Sequence, residues 1–79
     1  MAAPPSQLLE RLTNTRVTLE LKDGRTISGR LLGNDEHLNL VLDEVEERTP
    51  DLTRHLGLIV LRGSNVVSLS AVGPPAAGR

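Results

Sequence analysis

LKDGRTISGRLLGNDEHLNLVLDEVEE, residues 21–47, decides the fold. Asp23-Gly24 is a strong short-range hairpin signal, because both residues accept the backbone angles of a tight turn. The segment before it, RVTLELK, alternates cleanly. Val17, Leu19 and Leu21 share one face, and Arg16, Thr18, Glu20 and Lys22 share the other, as in a half-buried strand. RTISGRLLG after the turn reads as the returning strand, and HLNLVLDEVEE as a third, long and strongly curved one. Gly29, Gly33 and Gly57 are expected where strands bend or backbones approach closely.

Working outward, RTPDLTR is a polar loop broken by Pro50. HLGLIVLRG reads as the fourth strand and NVVSLSAV as the fifth, with RGSN as a tight hairpin turn between them. Gly63 would supply a positive φ in that turn. At the other end, SQLLERL places Leu8, Leu9 and Leu12 at helical spacing behind Ser6 as N-cap. Residues 1–5 read as a flexible lead, 6–71 as a single domain and 72–79 as a flexible tail. The fold class expected is mostly β: one short N-terminal α-helix, then a five-stranded, strongly bent antiparallel barrel.

A chain of 79 residues buries a modest share of its surface and is marginal alone. It has no cysteine, which excludes disulfides and thiolate metal sites, and no Phe, Tyr or Trp. Self-association is the remaining reinforcement. The net charge of −1 argues against a broad polyanion-binding surface, so any nucleic-acid site must be local. No apolar run approaches a membrane span and the start lacks a signal-peptide pattern, so cytoplasm is the expected location and no membrane partner is expected.

Two constellations stand out. In DEHLN, a two-residue period puts His37 and Asn39 on one face, and Leu38, Leu40 and Leu42 on the core side. Asp35 is near enough to orient either polar residue. One reading is a binding pair presented by a loop; the other is a polar turn in which Asn39 caps backbone groups. In RGSN, Gly63 and Asn65 suit a turn, but a turn does not need Arg62. A guanidinium there can stack on a base and donate hydrogen bonds, or simply be a strand-end arginine. Catalysis has little support. No Ser or Thr sits in a nucleophile motif, and neither Asp35/His37 nor Asp51/His55 has metal-ligand spacing. His55 reads as a surface residue, and the acidic run Asp43 to Glu47 as the solvent face of a strand end. No cofactor is expected.

Taken together, LKDGRTISGRLLGNDEHLNLVLDEVEE and LGLIVLRGSNVV resemble the Sm/Lsm family, especially its archaeal Sm-like members. The first Sm motif is matched by Asp23-Gly24, Gly29, Leu31, Asp35 and Asn39, and the second by Arg62-Gly63 with Val66 and Val67. The resemblance implies a ring, typically a homoheptamer, in which the fourth strand of one copy pairs with the fifth of the next. It implies binding of uridine-rich single-stranded RNA at the inner rim, as a scaffold or chaperone in RNA processing or decay, with RNA-processing proteins as further partners. His37 would stack on the base and Arg62, from the same copy or its neighbour, cover its other side. Asn39 would bond the uracil edge with Asp35 holding it, and Gly63 and Ser64 would offer backbone groups. Three positions depart from the pattern: Leu38 where methionine is common, Asn34 where many members carry an aromatic, and Ser64 where an acidic or amide residue follows Arg-Gly. A rival reading, favoured by the acidic runs, is a structural ring serving mainly as a protein-interaction platform.

Overall fold

The computed structural model describes residues 9–71. Residues 9–11 are helical, and Asn14, at φ 70°, ends the turn in the left-handed conformation that Asn tolerates. The amide of Asn14 donates to Leu31 O at 2.6 Å and that of Leu31 to Thr15 O at 3.0 Å, so the end of the helix is tied to the sheet. The proposed cap Ser6, Leu8, the lead 1–5 and the tail 72–79 lie outside the described residues.

Six strands follow: β1 Arg16–Leu21, β2 Thr26–Asn34, β3 Leu40–Arg48, β4 Thr53–Leu56, β5 Ile59–Leu61 and β6 Val66–Ala71. They form one antiparallel, curled sheet in the order β4-β3-β2-β1-β6, with β5 also pairing β3. The alternation of the sequence places the core. Val17, Leu19, Leu21, Ile27, Leu31, Leu40, Leu42 and Val45 are buried on the inner face. Leu9 and Leu12 pack against this cluster from the helix.

The expected fourth strand is two strands. β4 pairs with Val45–Arg48 and β5 with Leu40–Leu42, and the two-residue break at Gly57-Leu58 faces Asp43-Glu44. Glu44 sits there at φ 50°. The bend of β3 and the break in its partner thus coincide, which lets one strand serve both sides of the curl. In β2, register irregularities fall at Gly29 and beside Gly33, where bending was expected. Gly29 has a further reason. A Cβ there would lie 2.9 Å from Val45 Cγ2 and 3.0 Å from Asp43 O.

The acidic run is not simply a solvent face. Glu47 is 4 % exposed, and its carboxylate is gripped by Arg25 (2.6 Å) and Arg54 (2.6 Å). Asp43 takes a two-pronged bond from Arg30, at 3.1 and 2.8 Å. These guanidiniums, Arg25 foremost for Glu47 and Arg30 for Asp43, hold both carboxyls below their ordinary range.

Candidate nucleic-acid interface

The segment 35–39 is a loop, not the start of a strand. β3 begins only at Leu40. Asp35 N donates to Asn39 O at 3.1 Å and Leu38 N to Asp35 O at 3.0 Å, closing a tight curl. Leu38 occupies the left-handed region at φ 63°. It is therefore not one of the buried core leucines, as strict alternation predicts; it is half-buried at the edge of the core.

The Asp35 carboxylate organises the curl. Oδ1 accepts the backbone N–H groups of His37 (2.8 Å) and Asn39 (2.9 Å), and Oδ2 accepts the Asn39 side-chain amide (2.9 Å). The Asn39 amide, then its backbone N–H, hold the Asp35 carboxyl below the ordinary carboxylate range. Asn39 thus spends one N–H on Asp35 and keeps its Oδ1 and second N–H for another partner. An inverted amide would set Oδ1 against a carboxylate, so its orientation is fixed. His37 projects outward with its side chain 76 % exposed and its Nε2 3.8 Å from the Glu36 carboxylate.

The second constellation differs from the expected hairpin. β5 pairs β3 and β6 pairs β1, so Arg62–Asn65 does not join two paired strands. Gly63–Asn65 is a single 3₁₀ turn that carries the chain from one end of the sheet to the other. Asn65 N donates to Arg62 O at 3.0 Å, and Asn65 O accepts Lys22 N at 2.9 Å. Among the described residues, Gly24 is the glycine at positive φ, not Gly63. Gly63 is needed for closeness: a Cβ on it would run into the carbonyl oxygen of Leu38 and lie 3.0 Å from Leu38 Cβ. The Gly63 carbonyl accepts the Val66 N–H and keeps a second lone pair. The N–H groups of Gly63 and Ser64 lead the turn and have no acceptor within it.

This contact seats the 62–65 turn against the 35–39 loop. The register agrees: Leu40 pairs with Leu61, so Asn39 and Arg62 are the next residues on either side. Arg62 is exposed, and among the described residues its guanidinium enters no ion pair or hydrogen bond, whereas Arg16, Arg25, Arg30, Arg48 and Arg54 are all paired. Asp35, His37, Asn39, Arg62, Gly63 and Ser64 therefore share one rim of the sheet, although no bond joins His37 to Arg62. Below the rim lies an open apolar cavity of about 420 Å³, lined by Leu9, Leu12, Leu38, Leu40, Gly63, Val66 and Leu69. Sequence reasoning missed its link to the rim through Leu38; no pattern in the sequence signals a leucine at positive φ.

The rim of this small curled β-sheet thus brings together an amide locked by a carboxylate, a guanidinium outside any ion pair among the described residues and an exposed imidazole. Among the described residues no group of acids, histidines or cysteines could hold a metal, and no helix is long and apolar enough to cross a membrane. The chain belongs to the LSM domain family, whose model matches residues 7–71. It is 44 % identical over 71 residues to a protein of Methanococcoides burtonii named as an snRNP Sm-like protein, covering 89 % of this chain and 99 % of that one. It superposes on a subunit of the P. aerophilum SmAP1 heptamer with a TM-score of 0.83 at 31 % identity, covering 94 % of this chain and 100 % of that one. The Pyrococcus abyssi Sm protein, solved in complex with a uridine heptamer, gives 0.80 at 35 % identity, covering 89 % and 100 %.

Proposed function

We propose that the chain is one subunit of a homo-oligomeric ring, a heptamer by likeness to the P. aerophilum SmAP1 heptamer, that binds uridine-rich single-stranded RNA. It is a binding module, not an enzyme, with residues 6–71 as its single domain. The observation that carries this reading is the locked Asn39 amide, with Arg62 the next residue on the other side of the Leu40–Leu61 pair. Uracil presents an imino N–H beside a carbonyl. The fixed amide presents Oδ1 beside an N–H, which is its complement. Cytosine presents the reverse order and would require the amide to flip against Asp35. His37 and Arg62 supply stacking planes in a chain without aromatic residues, and the N–H groups of Gly63 and Ser64 supply donors. The uridine heptamer bound to the Pyrococcus abyssi relative supports the same choice of base.

The free edges of the sheet support assembly. β5 and β6 each pair on one side only, and Leu58, Val60 and Val67 are 66, 65 and 64 % exposed beside those edges. Unpaired edges with apolar flanks favour strand pairing between copies, and a head-to-tail contact that closes gives a ring. One pocket per subunit is weak; a ring makes several act together. We place the ring in the cytoplasm as a scaffold or chaperone in RNA processing or decay, where processing proteins would be its further partners. The acidic run no longer favours a mere interaction platform, because Asp43 and Glu47 are spent on Arg30, Arg25 and Arg54.

The test is fluorescence anisotropy of labelled U-rich RNA, A-rich RNA and U-rich DNA at two salt concentrations. U-selective binding that largely survives the higher salt is expected, because base pockets depend less on salt than phosphate contacts do. Equal binding to all three that vanishes at higher salt would refute the pocket and leave the platform reading.

A further inference from the structure

We infer that Leu38 is a positioning residue: it couples the nucleotide rim to the apolar cavity beneath, so that the helix end and β6 hold His37 and Asn39 in place. This rests on the uridine-binding reading of the rim, and adds to it a residue that touches no nucleotide.

Three observations converge on Leu38. The first is its φ of 63°. A bulky side chain is strained there and stays only where its surroundings dictate it. The second is what the strained angle achieves. Backbone N–H groups two residues apart in an extended chain are separated by about 7 Å. Those of His37 and Asn39 both reach Oδ1 of Asp35, at 2.8 and 2.9 Å. The left-handed residue between them brings them together, and the same curl delivers the Asn39 side chain to Oδ2.

The third is what holds Leu38. Its backbone lies against Gly63 with no room for a Cβ between them, its carbonyl carbon 3.1 Å from where that atom would be. Its side chain lines the cavity together with Leu9 and Leu12 from the helix, Leu40 from β3, and Val66 and Leu69 from β6. The leucine is half-buried at this cavity wall, and the apolar surface it removes from water there works against the backbone strain. The rim is thus held from the side by Gly63 and seated through Leu38 on the wall of the apolar cavity, while Asp35 fixes only its internal bonds.

The experiment uses the assembled ring without RNA and then with labelled U-rich RNA. Leu38→Ala empties part of the cavity wall and leaves every proposed RNA contact in place. Hydrogen exchange of the His37 and Asn39 backbone amides is expected to speed up by about tenfold, and affinity for U-rich RNA to fall by about tenfold, the scale on which supporting residues act. Leu38→Met, a volume-conserving change, should restore both. A merely structural loss would lower ring stability without selective loosening of residues 37 and 39. Unchanged exchange and affinity in Leu38→Ala overturn the inference. Should that variant not assemble, Val66→Ala removes the facing wall; the same loosening is expected, and its absence is equally decisive. If the parent ring fails to prefer U-rich RNA, the uridine reading fails by itself, while the exchange measurement still decides the role of Leu38.

Discussion

Asn39 and Arg62 are the next residues on either side where the β3–β5 ladder runs out, one step beyond the Leu40–Leu61 pair. One is an amide whose orientation a carboxylate fixes; the other is a cation that no acid among the described residues neutralises. Their chemistries differ, so their deletions should differ. Asn39→Ala is expected to cost about 1–3 kcal/mol of discrimination between uracil and cytosine at each pocket, the worth of a two-point base contact. Arg62→Ala should weaken U-rich and C-rich RNA alike, by about 1–3 kcal/mol per stacked base. Anisotropy with both RNAs measures this, and light scattering should show the ring mass unchanged in both variants.

The carboxyls of Asp23, Asp35, Asp43 and Glu47 all lie below their ordinary values of 3.8 for Asp and 4.5 for Glu. A lowered folded-state value means that the unfolded chain takes up protons first. The stabilisation is therefore complete above about pH 5 and is lost as pH falls through the lowered values. Chemical denaturation from pH 7 to pH 3 should show a flat region followed by a fall below about pH 4.5. A fall that begins near pH 6 would show that these four carboxyls do not set the acid limit.

Gly29 and Gly33 lie four residues apart in β2 and should respond oppositely to a methyl group. Gly29→Ala drives a Cβ against Val45 Cγ2 and the Asp43 carbonyl. Overpacking of this kind costs about 1–3 kcal/mol. At Gly33 no atom lies within 4 Å of the added Cβ. Gly33→Ala should then be neutral, or stabilise by up to about 1 kcal/mol through the unfolded state. Urea midpoints at one fixed protomer concentration compare the two.

Glu47 is the one buried acid among the described residues, and it joins Arg25 before β2 to Arg54 on β4. Glu47→Gln keeps the shape but removes the charge that both guanidiniums face. The melting temperature should drop by several degrees, whereas Glu44→Gln, an exposed change, should leave it nearly unaltered. Differential scanning calorimetry at matched concentration checks both.

Val60 and Val67 flank the free edges of β5 and β6. A lysine at either position blunts an edge by charge and desolvation. Val60→Lys or Val67→Lys should break the ring into smaller species, whose mass light scattering reports. A ring of parental mass in both variants would place the contact elsewhere.

The sequence was legible wherever side chains alternate and opaque wherever the backbone departs from extension. Val17, Leu19 and Leu21 reach the core as their spacing requires, and Asp23-Gly24 turns the chain with Gly24 at φ 94°. Alternation failed at Leu38 because a carboxylate two residues away from His37 curls the loop before β3 begins. At 57–58 Gly57 marked a bend, but the apolar run around it hides that the strand breaks into two. The identities of the rim residues were readable, since polar side chains amid aliphatic strands need a reason. That Gly63 serves contact rather than rotation was not readable, because the two demands select the same residue.

The break between β4 and β5 bears on the arithmetic of closure. A closed ring requires each copy to be turned from the last by a fixed angle, and adding or removing one subunit near seven changes that angle by less than about 10°. Errors in the angle accumulate around the circumference, so a subunit that flexes freely leaves gaps or open spirals. Here the hinge at Gly57-Leu58 is braced across from Glu44 by β3, a strand continuous through the bend. In the proposed ring, the curvature of β3 would act as a protractor for the whole assembly.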